Sequence, residues 1–399
     1  MTGRYPIHNT INDYIHPDTA WGLPLNESTL PELLGAAGYT CSAVGKWEYT
    51  PTFRGFDSFL GYYEGAEDYF AHTRSGAYDL HLERGARCGA GCSLVPDRRG
   101  EYSVNIFSQE AVRVIEQGRG SPKPWFLYLA WQSIHSPHQA PQAYLDRYNA
   151  SMPGRTVAAM LSALDDGVAN VTAALNRTGQ ADNTLIIFTS DNGGTSGSSN
   201  YPLRGEKHSV YEGGVRGAAF LAGWGIAPQL RGRSTAQLLH AADFLPTLVR
   251  SVAGGSTSGT LPLDGRDQWP LFSGAMASSN RSEVIYGHES GPGNCGLRNG
   301  TWKLLRAGGD QPSKWDPPGY GLVPAGTGAM IGLGRGAGAG AGAPPAAQCA
   351  SPTTYKNGTC HPGNDLGSYQ NVTDAQACCA LCAARAGCAD HARSGDGNG

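Results

Sequence analysis

Two short apolar runs, each emptying into a polar loop, constrain this chain more than any other feature. Trp125-Phe-Leu-Tyr-Leu-Ala130 is one continuous hydrophobic stretch and Leu185-Ile-Ile-Phe188 is the second. Runs of this length without polar alternation predict strands covered on both faces, the pattern of a sheet sandwiched between helices. Helical patterns separate them. Ile106, Ala111, Val112, Val114 and Ile115 predict a helix over 106–117, the longest helical pattern covers 155–177, and a third helix is predicted from about 236 to 252 with Pro246 as a kink or break. Earlier, Thr29-Leu-Pro-Glu32 reads as a capping box, with Leu30, Leu33 and Leu34 as the apolar stripe and Gly38 as the stop. A short strand follows through Val44, and another lies near Ala218–Ala222. This alternation predicts an α/β fold with a mostly parallel sheet flanked by helices. In such sheets ligands gather at the carboxyl ends of the strands. His135 and the Asp191-Asn192 pair both fall just past predicted strand ends.

Composition narrows the function classes. A net charge of −3 carries no basic surplus, which excludes the clustered Lys/Arg footprint of a nucleic-acid binder. No apolar run approaches the roughly 18 residues of a transmembrane helix. Glycine makes up 57 of 399 residues, twice the usual share of about 7%. With 25 prolines besides, a coiled coil is excluded. Ten cysteines and eight Asn-x-Ser/Thr sequons, starting at Asn26, Asn149, Asn170, Asn176, Asn280, Asn299, Asn357 and Asn371, point to an oxidising, secretory setting. The opening Met1-Thr-Gly-Arg-Tyr-Pro has neither a charged nor an apolar leader region. The expectation is therefore a secreted or lysosomal glycoprotein whose true start lies upstream.

Past residue 280 the pattern changes. Glu283–Gly287 and Thr301–Leu305 predict short strands of a smaller antiparallel subdomain, and residues 319–342 hold ten glycines in 24 positions, which reads as a disordered linker. Cys349, Cys360, Cys378, Cys379, Cys382 and Cys388 follow, and their spacing favours disulfides over a zinc site. The expected organisation is 1–275, 276–318, a Gly/Ala/Pro-rich linker at 319–348, and a Cys-rich segment at 349–399.

Five residues carry candidate chemistry. Asp191 and Asn192, followed by two glycines, offer hard oxygen donors of the kind a calcium ion takes, although the same string is also good turn chemistry. Lys207, in Pro202-Leu-Arg-Gly-Glu-Lys207, and Lys46, in Gly45-Lys-Trp47, are two of only six lysines, and both sit in loops where an ammonium can neutralise an oxyanion. His135 can serve as a general acid or an anion donor.

These residues lie in ordered blocks: Thr2-Gly-Arg-Tyr-Pro6, Leu33 to Tyr39 leading to Gly45-Lys-Trp47, Arg54-Gly-Phe-Asp57, Gln132-Ser-Ile-His135, Thr189-Ser-Asp-Asn-Gly-Gly194, Pro202 to Lys207, Tyr211-Glu-Gly-Gly-Val-Arg216, Asp243-Phe-Leu-Pro-Thr247 and Arg298 to Lys303. Together they resemble the sulfatases, specifically the arylsulfatase B-like branch of the alkaline-phosphatase-like superfamily, over residues 1–305. The resemblance implies hydrolysis of sulfate esters at a Ca2+ site by a formylglycine made from Cys or Ser. By block, Asp191 and Asn192 match the late pair of metal ligands. His135 matches the histidine near the sulfate and leaving group, Lys207 a sulfate-binding lysine, and Lys46 the lysine of a Gly-Lys-Trp-His block. The tail from Cys360 resembles a truncated PAN/apple-type module.

The chain also departs from that pattern. The family's Cys/Ser-x-Pro-x-Arg precedes the Thr-Gly-Arg segment, and here the chain begins at that segment's edge, so no cysteine qualifies as the formylglycine precursor. The early Asp-Asp metal pair, and with it the first strand, is also missing. Where the family has His after Gly-Lys-Trp, this chain has Glu48. The expectation is thus a sulfatase fragment that is inactive as written. The alternative is a non-catalytic protein on the same fold that binds sulfate esters or glycans. The partner in either case is a sulfated small molecule or sulfated glycan. A phosphodiesterase is disfavoured by the Gln-Ser-Ile-His and Lys207 blocks.

Overall fold

The computed structural model describes residues 1–11, 15, 22–47, 51–85, 93–195, 198–286 and 295–306. Glu48, Cys88, Cys92, the predicted linker and the Cys-rich tail lie outside the described residues. The chain divides into two compact units, 1–190 with 218–289, and 191–217 with 290–399.

The first unit is built on a five-stranded sheet. Its centre is β1 (Thr40–Lys46), flanked by β2 (Ser58–Tyr62) and β7 (Trp125–Ala130). All three run parallel, with Gly45 opposite both Gly61 and Ala130. Beyond the β3–β4 hairpin (Thr73–Arg74, Ala77–Tyr78), strands β5 (His81–Arg84) and β6 (Ser93–Leu94) extend the β2 side antiparallel. After a one-turn helix α1 (Pro6–Asn9), helix α2 (Leu30–Ala36) starts where Thr29 N–H donates to Glu32 Oε2 at 2.8 Å. The Thr29 hydroxyl instead donates to the Arg54 carbonyl, tying the helix start to the β1–β2 loop. The side chains of β1 alternate between two layers. Cys41 and Ala43 join Leu30, Leu34, Leu245 and Val249 on one face, while Val44 joins Ile106 and Phe107 of α3 (Ser103–Gly118) on the other.

Helices α3 and α5 (Arg155–Arg177), the latter preceded by the short α4 (Gln142–Leu145), form one flanking layer. Ile115, Ala174 and Leu175 make its core, with Trp125 of β7 and Ile186 of β8 (Leu185–Thr189) packed against it. β8 pairs antiparallel with β9 (Ala219–Gly223). Here the expectation of full burial fails. Every residue of β7 is only partly buried, as are the first four of β8. The reason lies in the order of the strands. β7 is the last strand of the five-stranded order, and among the described residues β8 lies beside β9 alone, so two strongly apolar strands each border a sheet edge. Strand β10 (Glu283–Tyr286) completes the first unit.

The helix expected from about 236 begins later. His240 Nδ1 accepts the Ala242 N–H, and Asp243 accepts the His240 N–H, so the turn starts at Ala241. It continues through Phe244–Pro246 into a wider turn over Thr247–Val252 rather than as one regular helix. Asp243 also anchors the N-terminal segment. Arg281, buried with it, grips its carboxylate with Nε and Nη2, donates to Tyr5 Oη at 2.8 Å and to the Asp264 carbonyl at 2.8 Å, while Tyr5 N–H donates to Asp264 Oδ2 at 2.7 Å. The His240 ring stands edge-on to Tyr5, 4.7 Å between centroids.

In the second unit, α6 (Glu212–Val215) lies in the 191–217 segment, and β11 (Cys295–Asn299) pairs antiparallel with β12 (Trp302–Arg306), giving the expected C-terminal antiparallel element.

Two measurements check this description. Amide hydrogens of β7 and β8 will exchange faster on average than those of β1; equal protection contradicts the exposed-edge arrangement. Burial, with Arg281 beside it, pushes His240 down to about 4 from its ordinary 6.5. The unfolded chain therefore binds that proton more tightly, and stability falls as pH drops from 6.5 through about 4. Denaturant titrations at pH 7 and pH 5 will show that loss in the native protein and a smaller one in His240→Asn.

Candidate active site

At the carboxyl end of the first unit's sheet, three backbones are pressed together. Gly45 has φ of +99°, and a Cβ there would lie 2.0 Å from the Ala130 carbonyl oxygen. A Cβ on Gly61 would lie 1.8 Å from the Gly45 oxygen. Only glycine fits either position. Lys46 therefore leaves the sheet at the same level as the loop that follows Ala130. Trp47 is buried next to it, edge-on to Phe56 and Tyr128.

The loop after β7 holds His135. Tyr69, fully buried, donates through its hydroxyl to the carbonyls of Gln132 (3.0 Å) and His135 (2.9 Å), and His135 N–H closes a turn onto the Gln132 carbonyl at 2.8 Å. Burial pushes the Tyr69 phenol well above its ordinary range, so it stays a donor. His135 Nδ1 lies 2.7 Å from the Ser136 carbonyl. A carbonyl only accepts, so Nδ1 carries the proton in the neutral ring.

The second unit brings Asp191, Asn192 and Lys207 into one backbone knot. Gly193 N–H donates to the Gly214 carbonyl at 2.9 Å, Lys207 N–H to Gly194 at 3.2 Å, and Gly213 N–H to Arg204 at 2.6 Å. Asn200 spans the crossing, taking Gly194 N–H on Oδ1 and donating to the carbonyls of Gly194 and Gly205. A Cβ on Gly193 would stand 1.6 Å from the Gly213 oxygen. Behind this knot Glu212 accepts from Lys303 Nζ at 2.7 Å and Arg298 Nη1 at 2.5 Å, with Lys303 wholly buried. Burial alone would raise the Glu212 carboxyl; Lys303 and Arg298 outweigh it and hold the group below its ordinary value.

The chemistry of Asp191 and Asn192 suits calcium in kind but not in number. Asp191 is exposed, and its Oδ1 accepts from the Asn192 N–H and amide. Their three side-chain oxygens fall short of the roughly six to eight that calcium takes. Among the described residues no group of three or more His, Cys, Asp or Glu could hold a metal. Cys41 is likewise no nucleophile: burial pushes its thiol up to about 12, and it points to the Pro31 carbonyl.

Three features carry no signal in the sequence pattern. Lys303 and Glu212 were visible within the blocks, but nothing in their spacing joined residues so far apart. Tyr69 carried no motif signal. A Ser-x-Pro-x-Arg string does occur once, as Ser151-Met-Pro-Gly-Arg155. It forms an exposed turn opening α5, with Ser151 Oγ hydrogen-bonded to Asn149 at 3.0 Å, nowhere near Thr2-Gly-Arg in sequence.

Removing Glu212 strands a buried ammonium. Glu212→Ala should cost about 3–5 kcal/mol of stability by denaturant titration, whereas a loss under about 1 kcal/mol would show the pair to be dispensable.

Comparison with known proteins gives these elements a setting. The chain is 36% identical over 321 residues to arylsulfatase J of Mus musculus, covering 76% of this chain and 51% of that protein. It is 30% identical to arylsulfatase A of Homo sapiens over 72% of this chain and 59% of that protein. The chain thus spans little more than half the length of these curated relatives. The crystal structure of Ps i-CgsB in complex with k-i-k-neocarrahexaose superposes with a TM-score of 0.66 at 28% identity, covering 77% of this chain and 71% of that one. The sulfatase family itself matches residues 1–254, a run that takes in His135, Asp191, Asn192 and Lys207, and the chain belongs to that family.

Proposed function

We propose that the protein acts on sulfate esters as a sulfuric ester hydrolase, with sulfated glycans such as neocarrahexaose as the substrate class. The observation that carries this is the match of residues 1–254 to the sulfatase family, a run that takes in the His135 loop. In that loop the His135 Nδ1–H is held by the Ser136 carbonyl. Protonated, Nε2 donates to the ester oxygen that leaves with the alcohol. The Lys207 and Lys46 ammonium groups neutralise sulfate oxygens whose charge rises along the reaction. Asp191 and Asn192 would hold a calcium ion only in part, and such an ion would supply polarisation of the sulfuryl group. A formylglycine would supply the nucleophile, and none of the residues described here takes that role.

Five of the six sequon asparagines among the described residues, Asn26, Asn149, Asn170, Asn176 and Asn280, are exposed, which supports a glycosylated, secreted or lysosomal protein. No helix among the described residues is long and apolar enough to cross a membrane.

The 399-residue chain, with no Cys/Ser-x-Pro-x-Arg ahead of Thr2-Gly-Arg, is predicted to give no turnover of p-nitrophenyl sulfate. Hydrolysis above Lys207→Ala and His135→Ala controls contradicts that, and a further loss in Ser151→Ala would move the nucleophile to the 151–155 turn. The non-catalytic alternative is a sulfate-ester or glycan binder on the same fold. It is separated by reading the transcript upstream of Met1: an Asp-Asp strand end and Cys-x-Pro-x-Arg there support the enzyme.

A further inference from the structure

The turn that carries Tyr69 closes around a buried acid and imidazole. Asp68 N–H donates to the Thr73 carbonyl at 2.9 Å and His72 N–H to the Asp68 carbonyl at 3.0 Å. His72 sits at φ of +52°, a left-handed conformation that a residue with a side chain keeps only where its surroundings impose it. Glu67 and His72 are both fully buried, with His72 Nδ1 3.5 Å from Glu67 Oε1. His72 Nε2 lies 3.1 Å from the Arg98 carbonyl, which only accepts, so Nε2 carries a proton. The ring's other nitrogen faces the carboxyl. A carboxylate and a neutral imidazole would set two lone pairs against each other in a dry site. One added proton removes that opposition, whether it makes a carboxylic acid or an imidazolium paired with the carboxylate.

The surroundings favour keeping that proton. Burial pushes the Glu67 carboxyl up to about 7 from its ordinary 4.5; His72 pulls the other way, and the nearby Asp79 and Asp68 add to the rise. The remaining groups around the pair do not supply a compensating cation. The Arg98 guanidinium is directed to Gln109 and Glu101, Arg74 of β3 is exposed to water, and the Tyr78 ring stands edge-on to His72 at 6.2 Å. Tyr69, in the same turn, keeps its phenol neutral.

Tyr69 links this pair to the site. Its N–H donates to Gln139 Oε1 at 2.8 Å, its carbonyl takes the Ser103 N–H at 2.9 Å, and its hydroxyl holds the carbonyls of Gln132 and His135. We propose that Glu67 and His72 are positioning residues for the His135 loop: the proton they hold together keeps the 67–73 turn closed, and its loss to solvent as pH rises loosens the turn and, through Tyr69, the loop that carries His135. Only the identity of what His135 meets depends on the sulfate-ester reading; the latch belongs to the turn. In an opened turn Glu67 returns toward 4.5, so the closed turn binds the proton more tightly, and closure is favoured at acid pH and lost as pH rises through about 7.

The test is 13C NMR and amide hydrogen exchange on the 399-residue chain between pH 6 and pH 8. The Glu67 carboxyl carbon, assigned through its own backbone, should titrate near neutral pH. Protection of the Asp68, His72, Ser103 and His135 amides, corrected for intrinsic exchange, should fall about tenfold over that range. In Glu67→Gln, whose amide donates to Nδ1 without titrating, the same protection should stay level. A Glu67 carboxyl that titrates in the usual carboxylate range overturns the latch, and so does protection equally pH-dependent in both proteins. A His135 amide that stays level while the turn loosens removes the positioning role. Should Glu67→Gln fail to fold, the native chain decides alone, because its carboxyl and the His135 amide must then share one midpoint. Affinity for p-nitrophenyl sulfate, which is ionised throughout, should fall more steeply with pH in the native chain than in Glu67→Gln. If the native chain does not bind that ester at either pH, the sulfate-ester reading falls, while the exchange data still decide the latch.

Discussion

The close approach of β2, β1 and β7 at Gly61, Gly45 and Ala130 is the constraint on which the first unit depends. A parallel sheet delivers its loops to one edge only if the strands stay in register to their last residue. Here a glycine with positive φ, pressed against the Ala130 carbonyl while its own carbonyl lies against Gly61, enforces that register where Lys46 leaves the sheet. A side chain at Gly45 or Gly61 would push the strands apart at the level where the His135 loop begins. The Tyr69 hydroxyl then holds that loop by its carbonyls, and the Ser136 carbonyl holds the imidazole through Nδ1.

The second unit uses the same device around Asp191, Asn192 and Lys207. Gly193, Gly213 and Gly214 bring three chain segments within hydrogen-bonding distance, and the Glu212–Lys303 pair lies behind them in the dry interior. An ion pair that deep contributes little net stability relative to an apolar pair, and its value is in fixing one arrangement. Both units therefore present a few polar side chains from rigid, glycine-dependent backbone.

Much of this was legible in the sequence because it depends on local pattern. The apolar runs marked β7 and β8, the periodicity marked α3 and α5, with the 155–177 pattern matching α5 residue for residue, and the ordered blocks marked the family. What was not legible is what distance in the chain hides. Arg281 reaches Tyr5 and Asp243, and Lys303 reaches Glu212, across separations that no periodicity encodes. The partial exposure of β7 contradicts its composition, because burial depends on neighbouring strands and not on a strand's own residues. Glu67 reads as an ordinary acidic residue until its surroundings show it fully buried, with His72 Nδ1 3.5 Å from Oε1. The helix expected from about 236 shows the converse error. Its apolar content was right, and a histidine cap moved its start to Ala241.

The central claim is that these loops recognise a sulfate monoester. It is tested most directly by the affinity of the 399-residue chain for p-nitrophenyl sulfate against bis(p-nitrophenyl) phosphate, with Lys207→Ala and His135→Ala alongside. The account predicts preferential binding of the sulfate ester, weakened about tenfold by either substitution, the scale of losing one charge-assisted contact. Equal affinity for the two esters, or binding indifferent to both substitutions, would contradict it.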